Sequence, residues 1–301
     1  LRITWLPKAA AAIQSGQDVL TDPLKGVVAL GLGKNMVEAL RCWIEAYGVA
    51  SRVDGEWRLT DEGRAIFGAG GHDPYLEDVQ TLWWLHWRIS TQRKSPFAAW
   101  EIMINRWNDA SFTPAAVLAA FQRQAEAENR QLSDVTLKQH FDVWLHSYCP
   151  PRGGRAAEEG LDSPLTALGL VRQSAEREVS GRREPVYIFD LGQKRGVSQG
   201  LFRYCLLDWW SKAATDEETV GFHQLVTSPG SPGRVFRMSE QEVRERMQSF
   251  HLDSTSGFEL HESLNQYQVR RRGRMPLKTE LLDAAYQRAP IVAPARRRAN
   301  V

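Results

Sequence analysis

TDPLKGVVALGLGKNMVEALRCWIEAYGVASRVDGEWRLT, residues 21–60, decides how the rest of the chain is read. Its Gly-Leu-Gly-Lys at 31–34 invites comparison with a phosphate-binding loop. That loop needs a glycine five residues before the Gly-Lys pair and a hydroxyl right after the lysine. Val28 and Asn35 stand there instead, and the residues leading in form no strand. They read as a short helix, because Asp22 can cap it and Pro23 suits the first helical position, where a missing N–H costs nothing. Residues 34–47 then show helical periodicity, with Met36, Val37, Leu40, Ile44 and Tyr47 on one face and Lys34, Glu38, Arg41 and Glu45 on the other. VASRVDGEWRLT reads as two strands around Asp54-Gly55, and Thr60 starts the helix DEGRAIF. Helix, turn, helix, hairpin is the order of a winged helix-turn-helix, with residues 34–47 in the place of the recognition helix.

Working outward, the order recurs. Thr113-Pro114 opens a helix to about Asn129, residues 133–148 give a second, and strand-like GLVRQ and PVYIFDL follow at 169–173 and 185–191. The loop CPPRGGRAAEEGLD separates helix from strands. The aromatic segment DPYLEDVQTLWWLHWRIS, 73–90, carries Tyr75, Trp83, Trp84 and Trp87; such rings can stack on single-stranded bases, but tryptophans in a helix are usually core. Further on, LFRYCLLDWWSKA reads as a buried helix, and MSEQEVRERMQSF opens with a Ser239 to Glu242 capping box and a Met238 to Val243 staple. FELHESLNQYQVRRR reads as a strand or wing, and LKTELLDAAYQR as a last helix. The expectation is a mainly α protein with small β-hairpins, winged helix-turn-helix-like units on a helical body. Its parts are a winged-helix-like domain at 1–100, a second at 101–192, and a C-terminal helical domain with a basic tail at 193–301.

Composition narrows the function classes. With 43% hydrophobic residues among 301, the chain can bury a substantial core. No apolar run approaches the ~18 residues of a membrane span, and the opening LRITWLPKAAAAIQ lacks the charged-then-apolar order of a signal peptide. Cys42, Cys149 and Cys205 lie far apart without any Cys-x-x-Cys pair, which argues against a zinc ribbon and suits a reducing cytoplasm. The net charge of +2 is unevenly spread. From Arg270 onward nine Lys/Arg stand against two Asp/Glu, a tail of +7 that leaves −5 on residues 1–269. The body is therefore no general polyanion binder, and contact with DNA would be local.

The residues for such contact are Lys34, Asn35 and Arg41 near the exposed start of the recognition-like helix and Arg52 and Arg58 beside the hairpin. Lys138 on the second such helix and Arg270, Arg271, Arg272 and Arg274 of the RRRGR run complete the set. Ordinary surface charge, or a solvated basic tail, is the alternative. The seven histidines show no His-x-x-x-His or HExxH spacing, and no Ser/His/Asp arrangement can be read. Strand cleavage would then use a divalent cation, Mg²⁺ or another, on hard oxygen ligands. Asp73, Glu77 and Asp78 are the catalytic candidates, with Glu77 and Asp78 as the metal ligands; Asp73 and Glu77 share a face if the segment is helical. Acidic residues at a helix start are the plainer reading, and Glu158, Glu159 and Asp162 form a second set.

Four blocks in order, WLPKAAAAI (5–13), LGLGKNMVEALRCW (30–43), LTDEGRAIF (59–67) and DPYLEDVQTLWWLHW (73–87), resemble the bacterial family called domain of unknown function 4007. LDSPLTALGLV (161–171) extends the likeness weakly. The resemblance implies a place in the DNA phosphorothioate modification systems used against phage. There the partners are a cysteine desulfurase and a sulfur-transfer ATPase, and the single-strand branch includes a nickase-type member. It supplies no catalytic residues. The function expected is a DNA-binding protein of such a system, a metal-dependent nicking endonuclease that opens one strand to sulfur. The alternatives are a non-enzymatic winged-helix DNA-binding subunit or transcriptional regulator, and a protein-interaction adaptor.

Overall fold

The computed structural model describes residues 1–92, 98–149, 163–179, 182–253, 256–263, 266–273 and 276–287. Helix α1 (Trp5–Gln14) leads to α2 (Pro23–Leu30) and α3 (Lys34–Ala46). Asp22 caps α2 by accepting from Leu24 N at 2.9 Å, and Gly31, at φ 66, ends it. The two helices cross closely because residue 26 has no side chain: a Cβ there would meet Val19 O at 2.3 Å and Val37 Cγ1 at 2.8 Å. Strands β1 (Ala50–Val53) and β2 (Glu56–Leu59) follow. Val53 pairs with Glu56 across a two-residue turn whose Asp54 and Gly55 have φ 52 and 86, the left-handed pair that Asp-Gly favours. Thr60 caps α4 (Asp61–Phe67), accepting from Gly63 N at 2.9 Å and donating to Gly48 O at 2.6 Å.

Helix α5 (Val79–Thr91) is the centre of the molecule; Trp83, Trp84 and Trp87 are all buried, as the core reading of these aromatics required. After α6 (Ala98–Trp100) the chain widens into a π-helical stretch, Glu101–Arg106. Then come β3 (Ser111–Phe112), α7 (Pro114–Ala127), α8 (Asp134–Tyr148), β4 (Val171–Val179) and β5 (Arg182–Phe189), the strands ordered β3-β5-β4. Helix α9 (Gln199–Ala213) precedes β6 (Thr219–Gly221), α10 (Phe222–Thr227), α11 (Pro232–Phe236), α12 (Glu240–Leu252), β7 (Phe258–Ser263) and β8 (Gln266–Arg271). Their order is β6-β8-β7, so both three-stranded sheets are closed the same way: a lone strand, then helices, then a hairpin whose second strand pairs back onto it. The C-terminal third, expected to be helical with one strand or wing, thus contains a whole sheet. Helix α13 (Lys278–Tyr286) closes the described chain.

Buried polar groups tie these parts to α5. The His86 ring donates from Nε2 to Val235 O at 2.9 Å, which leaves Nδ1 to accept from the Tyr148 hydroxyl at 2.7 Å; that hydroxyl accepts in turn from Trp100 Nε1 at 2.8 Å. Burial pushes the imidazole down to about 4, so it is neutral. Asp208, fully buried, accepts from Trp87 Nε1 at 2.9 Å and from Lys212 and Lys278, each at 2.6 Å. Burial opposes its charge, but the two ammonium groups outweigh it and hold the carboxyl down to about 2. The Ser239 cap on α12 forms, accepting from Glu242 N at 3.1 Å. The reciprocal half of the expected box does not. The Glu242 carboxylate turns instead to Lys194 N at 3.0 Å and Arg246 Nη2 at 3.0 Å, a buried loop amide being the needier donor.

Candidate nucleic-acid face and carboxylate-lined cavity

Lys34 and Asn35 occupy the exposed first turn of α3. The N-cap is Gly33, whose missing side chain caps nothing, so the start of α3 offers amide donors and the positive end of the helix dipole to an anion. Met36 was expected on the packed face and is 45% exposed; Trp43, 7% exposed, packs in its stead. The reason is where α2 crosses. Its closest approach is at Val37, so the residue before it on the helix turns outward. Arg41 is half-buried, its Nη2 donating to Thr21 O at 2.8 Å, and so it braces the entry to α2. Arg52 and Arg58 are exposed on the hairpin; Arg52 Nε steadies the turn at Gly55 O, 3.0 Å, and Arg58 pairs with Glu56 at 3.1 Å. A pair this open holds its arginine weakly.

Elsewhere the expected contacts have acidic or carbonyl partners of their own. Lys138 bonds Asp142 one turn along α8 at 2.6 Å. The basic run, read as the start of a tail, is in its first residues the end of β8. Arg270 faces Glu218 at 3.8 Å, and Arg272 meets Glu259 at 2.7 Å. Arg271 donates to Thr215 O at 3.1 Å and Glu217 O at 2.7 Å over the Trp210 ring. Arg274 lies outside the described residues, as do Glu158, Glu159 and Asp162.

The carboxylate block folds as a turn rather than a helix, with Leu76 at φ 61, so Asp73 and Glu77 do not stack one turn apart. Asp73 is 5% exposed and its oxygens are taken: Oδ1 by Glu77 N at 2.8 Å, Oδ2 by Asp78 N at 2.9 Å and the Thr81 hydroxyl at 2.6 Å. Asp78 caps α5 through Gln80 N at 2.8 Å. Of the plainer reading, acidic residues at a helix start, only Asp78 keeps its part, as the cap: α5 begins at Val79, past Asp73-Pro74, and has no acidic residue in its first turn. Yet Glu77 is exposed, and with Asp78 it walls a cavity of about 480 Å³ shared with Ser198 and Tyr286. The Tyr286 hydroxyl must donate to Thr81 Oγ1 at 2.8 Å, because the threonine proton goes to Asp73. Burial pushes this phenol up. His72 stacks on the Tyr286 ring at 4.6 Å and meets Asp283 at 2.8 Å. Sequence reasoning missed Ser198, Asp283 and Tyr286, since only folding brings them beside residues 72–81.

Among the described residues no group of three or more His, Cys, Asp or Glu could hold a metal ion. Mg²⁺ does not require one. It keeps several waters and commonly takes one or two carboxylates, filling its shell from substrate phosphates. Glu77 and Asp78 fit that use, and Asp73, with both oxygens engaged, does not.

Over residues 1–286 the sequence matches the family described as protein of unknown function, DUF4007. The chain belongs to that family. The likeness visible in four N-terminal blocks therefore runs through α13. None of the curated proteins matches the chain. The DUF4007 chain is similar to a crystal structure of magnesium ion-bound SspB, with a TM-score of 0.82, and to another of SspB, with 0.80. Each likeness is at 26% identity and covers 95% of this chain and 85% of the other. Across the described residues of this DUF4007 member no helix is long and apolar enough to cross a membrane.

Proposed function

We propose that this chain is the DNA-engaging component of a DNA phosphorothioate modification system directed against phage, and that it nicks one strand to admit sulfur. The observation that carries the reading is the likeness, along 95% of the chain, to SspB with magnesium bound. The family resemblance supplies the association with such systems, and with it the partners, a cysteine desulfurase and a sulfur-transfer ATPase. The helix, turn, helix, hairpin order of residues 23–59 supports DNA as the substrate. Lys34, Asn35 and the uncapped start of α3 would hold phosphates, with Arg52 and Arg58 tracking the backbone. Glu77 and Asp78 would hold Mg²⁺, which neutralises charge on a phosphodiester and activates water. Asp73 positions these two by fixing their backbone amides.

Conversion of supercoiled plasmid to the open circle, with Mg²⁺ and with chelator, tests the reading. Nicking that needs the cation supports it; an intact plasmid under both conditions opposes it. A second reading, a non-enzymatic DNA-binding subunit, is favoured by the hydrogen bonds that already engage Asp73 and Asp78 at the entry to α5. It expects retained duplex binding without nicking.

A further inference from the structure

A cavity of about 540 Å³ lies at the other end of α5 and α9 from the carboxylate wall, where Gln92 and Trp209 meet the π-helical stretch. Its wall is built rather than incidental. A π-helical turn opens the backbone ladder and recurs at functional sites. Here it is cross-braced: Arg237 Nη2 donates to Met103 O at 2.6 Å, Arg234 reaches Asn105 O at 3.1 Å and Trp107 O at 2.7 Å, and Asn105 holds Ser90 O and Gly230 N, both at 2.8 Å.

Two buried polar atoms on this wall are unmatched. Trp209, 6% exposed, has an Nε1–H with no acceptor, and its Cδ1 edge faces Gly230, which lines the cavity. Gln92 spends its Nε2 on Glu45 O at 3.3 Å and leaves Oε1 without a donor. A ligand seated there can offer Trp209 an acceptor and Gln92 a donor, and a nucleobase edge carries both kinds of group. At the rim Arg106 pairs with Glu101 at 3.1 Å and donates to Gln124 Oε1 at 2.9 Å, and Arg130 pairs with Glu128 at 3.6 Å; both arginines are about half exposed, and pairs this open can exchange for a phosphate.

We propose that this cavity receives one unstacked nucleotide, its base edge on Trp209 and Gln92 and its phosphate on Arg106 and Arg130. The two cavities are separated by the length of α5, roughly 20 Å at 1.5 Å per residue, about six steps of a strand at 3.4 Å each. A strand laid across the carboxylate wall can therefore place here a nucleotide about six steps away. That a DNA strand is the source rests on the proposed function; the nucleotide site does not.

The probes are a fluorescein-labelled single-stranded oligonucleotide of about eight residues and the four deoxynucleoside monophosphates, with labelled duplex alongside. Trp209→Phe keeps an aromatic ring, though a smaller one, and removes the donor, and should weaken oligonucleotide binding about threefold to tenfold. Arg130→Glu, a surface change, should weaken it about tenfold at low salt with its melting temperature unchanged, whereas Trp209→Phe should melt somewhat lower because the ring is buried. Lys34→Glu should lower duplex affinity and spare the monophosphates. Monophosphate binding lost in Trp209→Phe, without any DNA binding, would uphold the site and sink the DNA reading. Unchanged single-strand affinity in both Trp209→Phe and Arg130→Glu would overturn the site while leaving that reading intact, and wild type that binds neither probe would also overturn it.

Discussion

At Gly26 in α2 an added Cβ would meet Val19 O at 2.3 Å, and at Gly233 in α11 it would meet Val226 Cα and O, both at 2.7 Å. Both helices begin with a capped proline, Asp22-Pro23 and Ser231-Pro232, and both lead into a longer helix and then a hairpin. The surfaces those longer helices present differ. α3 opens on exposed Lys34 and Asn35 behind a glycine N-cap, whereas α12 opens on exposed Glu240 and Gln241 behind Ser239, whose hydroxyl already takes an amide. On the proposed DNA reading the first start suits a phosphate, and the second, with its cap filled and Glu240 paired with Arg244 at 2.9 Å, does not. Shared construction does not by itself imply shared function, and the exposed turn is where the two units differ.

The sharpest way to break the construction half of this comparison is to substitute both glycines. Gly26→Ala and Gly233→Ala should each lose about 3 kcal/mol, because backbone atoms of a neighbouring segment cannot step aside. Denaturant midpoints of the two variants measure it. A full-stability Gly233→Ala would mean the resemblance of α11 to α2 is only one of order.

Acid separates the centre from the exposed face. His86, which joins α5 to α11, has its folded value pushed by burial from 6.5 to about 4. The unfolded chain therefore binds this proton more readily. The stabilisation is complete above about 6.5 and is lost as pH falls towards 4, roughly 3 kcal/mol in all. Asp208, held down from 3.8 to about 2 by its lysines after burial is overcome, adds a further loss below that window. Melting temperature against pH should be level above neutrality and fall through this range. A level curve down to pH 4 would show that the imidazole is not neutral in the fold.

Much of the architecture was legible because its signals are local. Asp22-Pro23, Thr60, Thr113-Pro114 and Ser239 cap the helices they were expected to cap, and Asp54-Gly55 makes the turn its two left-handed residues allow. What was illegible is long-range. β3 has two residues and β6 three, too few for any alternation, and each exists only by pairing with a strand far along the chain. The block at 73–78, whose Asp73 and Glu77 would share a face in a helix, is a turn, since Asp73 gathers the amides of 77 and 78. Met36 continued the apolar stripe of α3, yet nothing in periodicity says where a neighbouring helix stops. At the cavities, the residues facing Glu77 or Gln92 come from α9, α13 and the π-helical stretch, beyond the reach of any motif.

The surface half of the comparison predicts a smaller effect. Lys34→Glu should weaken duplex binding about tenfold and lower the salt slope by about one, whereas Glu240→Lys should change neither by more than a little. Equal losses in the two variants would remove the distinction between α3 and α12.

The central claim is cleavage at the wall that Glu77 and Asp78 share. Its most direct measurement is the Mg²⁺-dependent nicking rate of supercoiled plasmid by wild type and by the paired variant Glu77→Gln with Asp78→Asn, at matched duplex affinity. Asparagine retains the cap on α5, so the variant should fold. We expect open circles from wild type, none with chelator, and a rate at least about a hundredfold lower in the variant, the scale of losing metal-ion activation. Nicking by the variant at the wild-type rate would contradict the assignment of this wall.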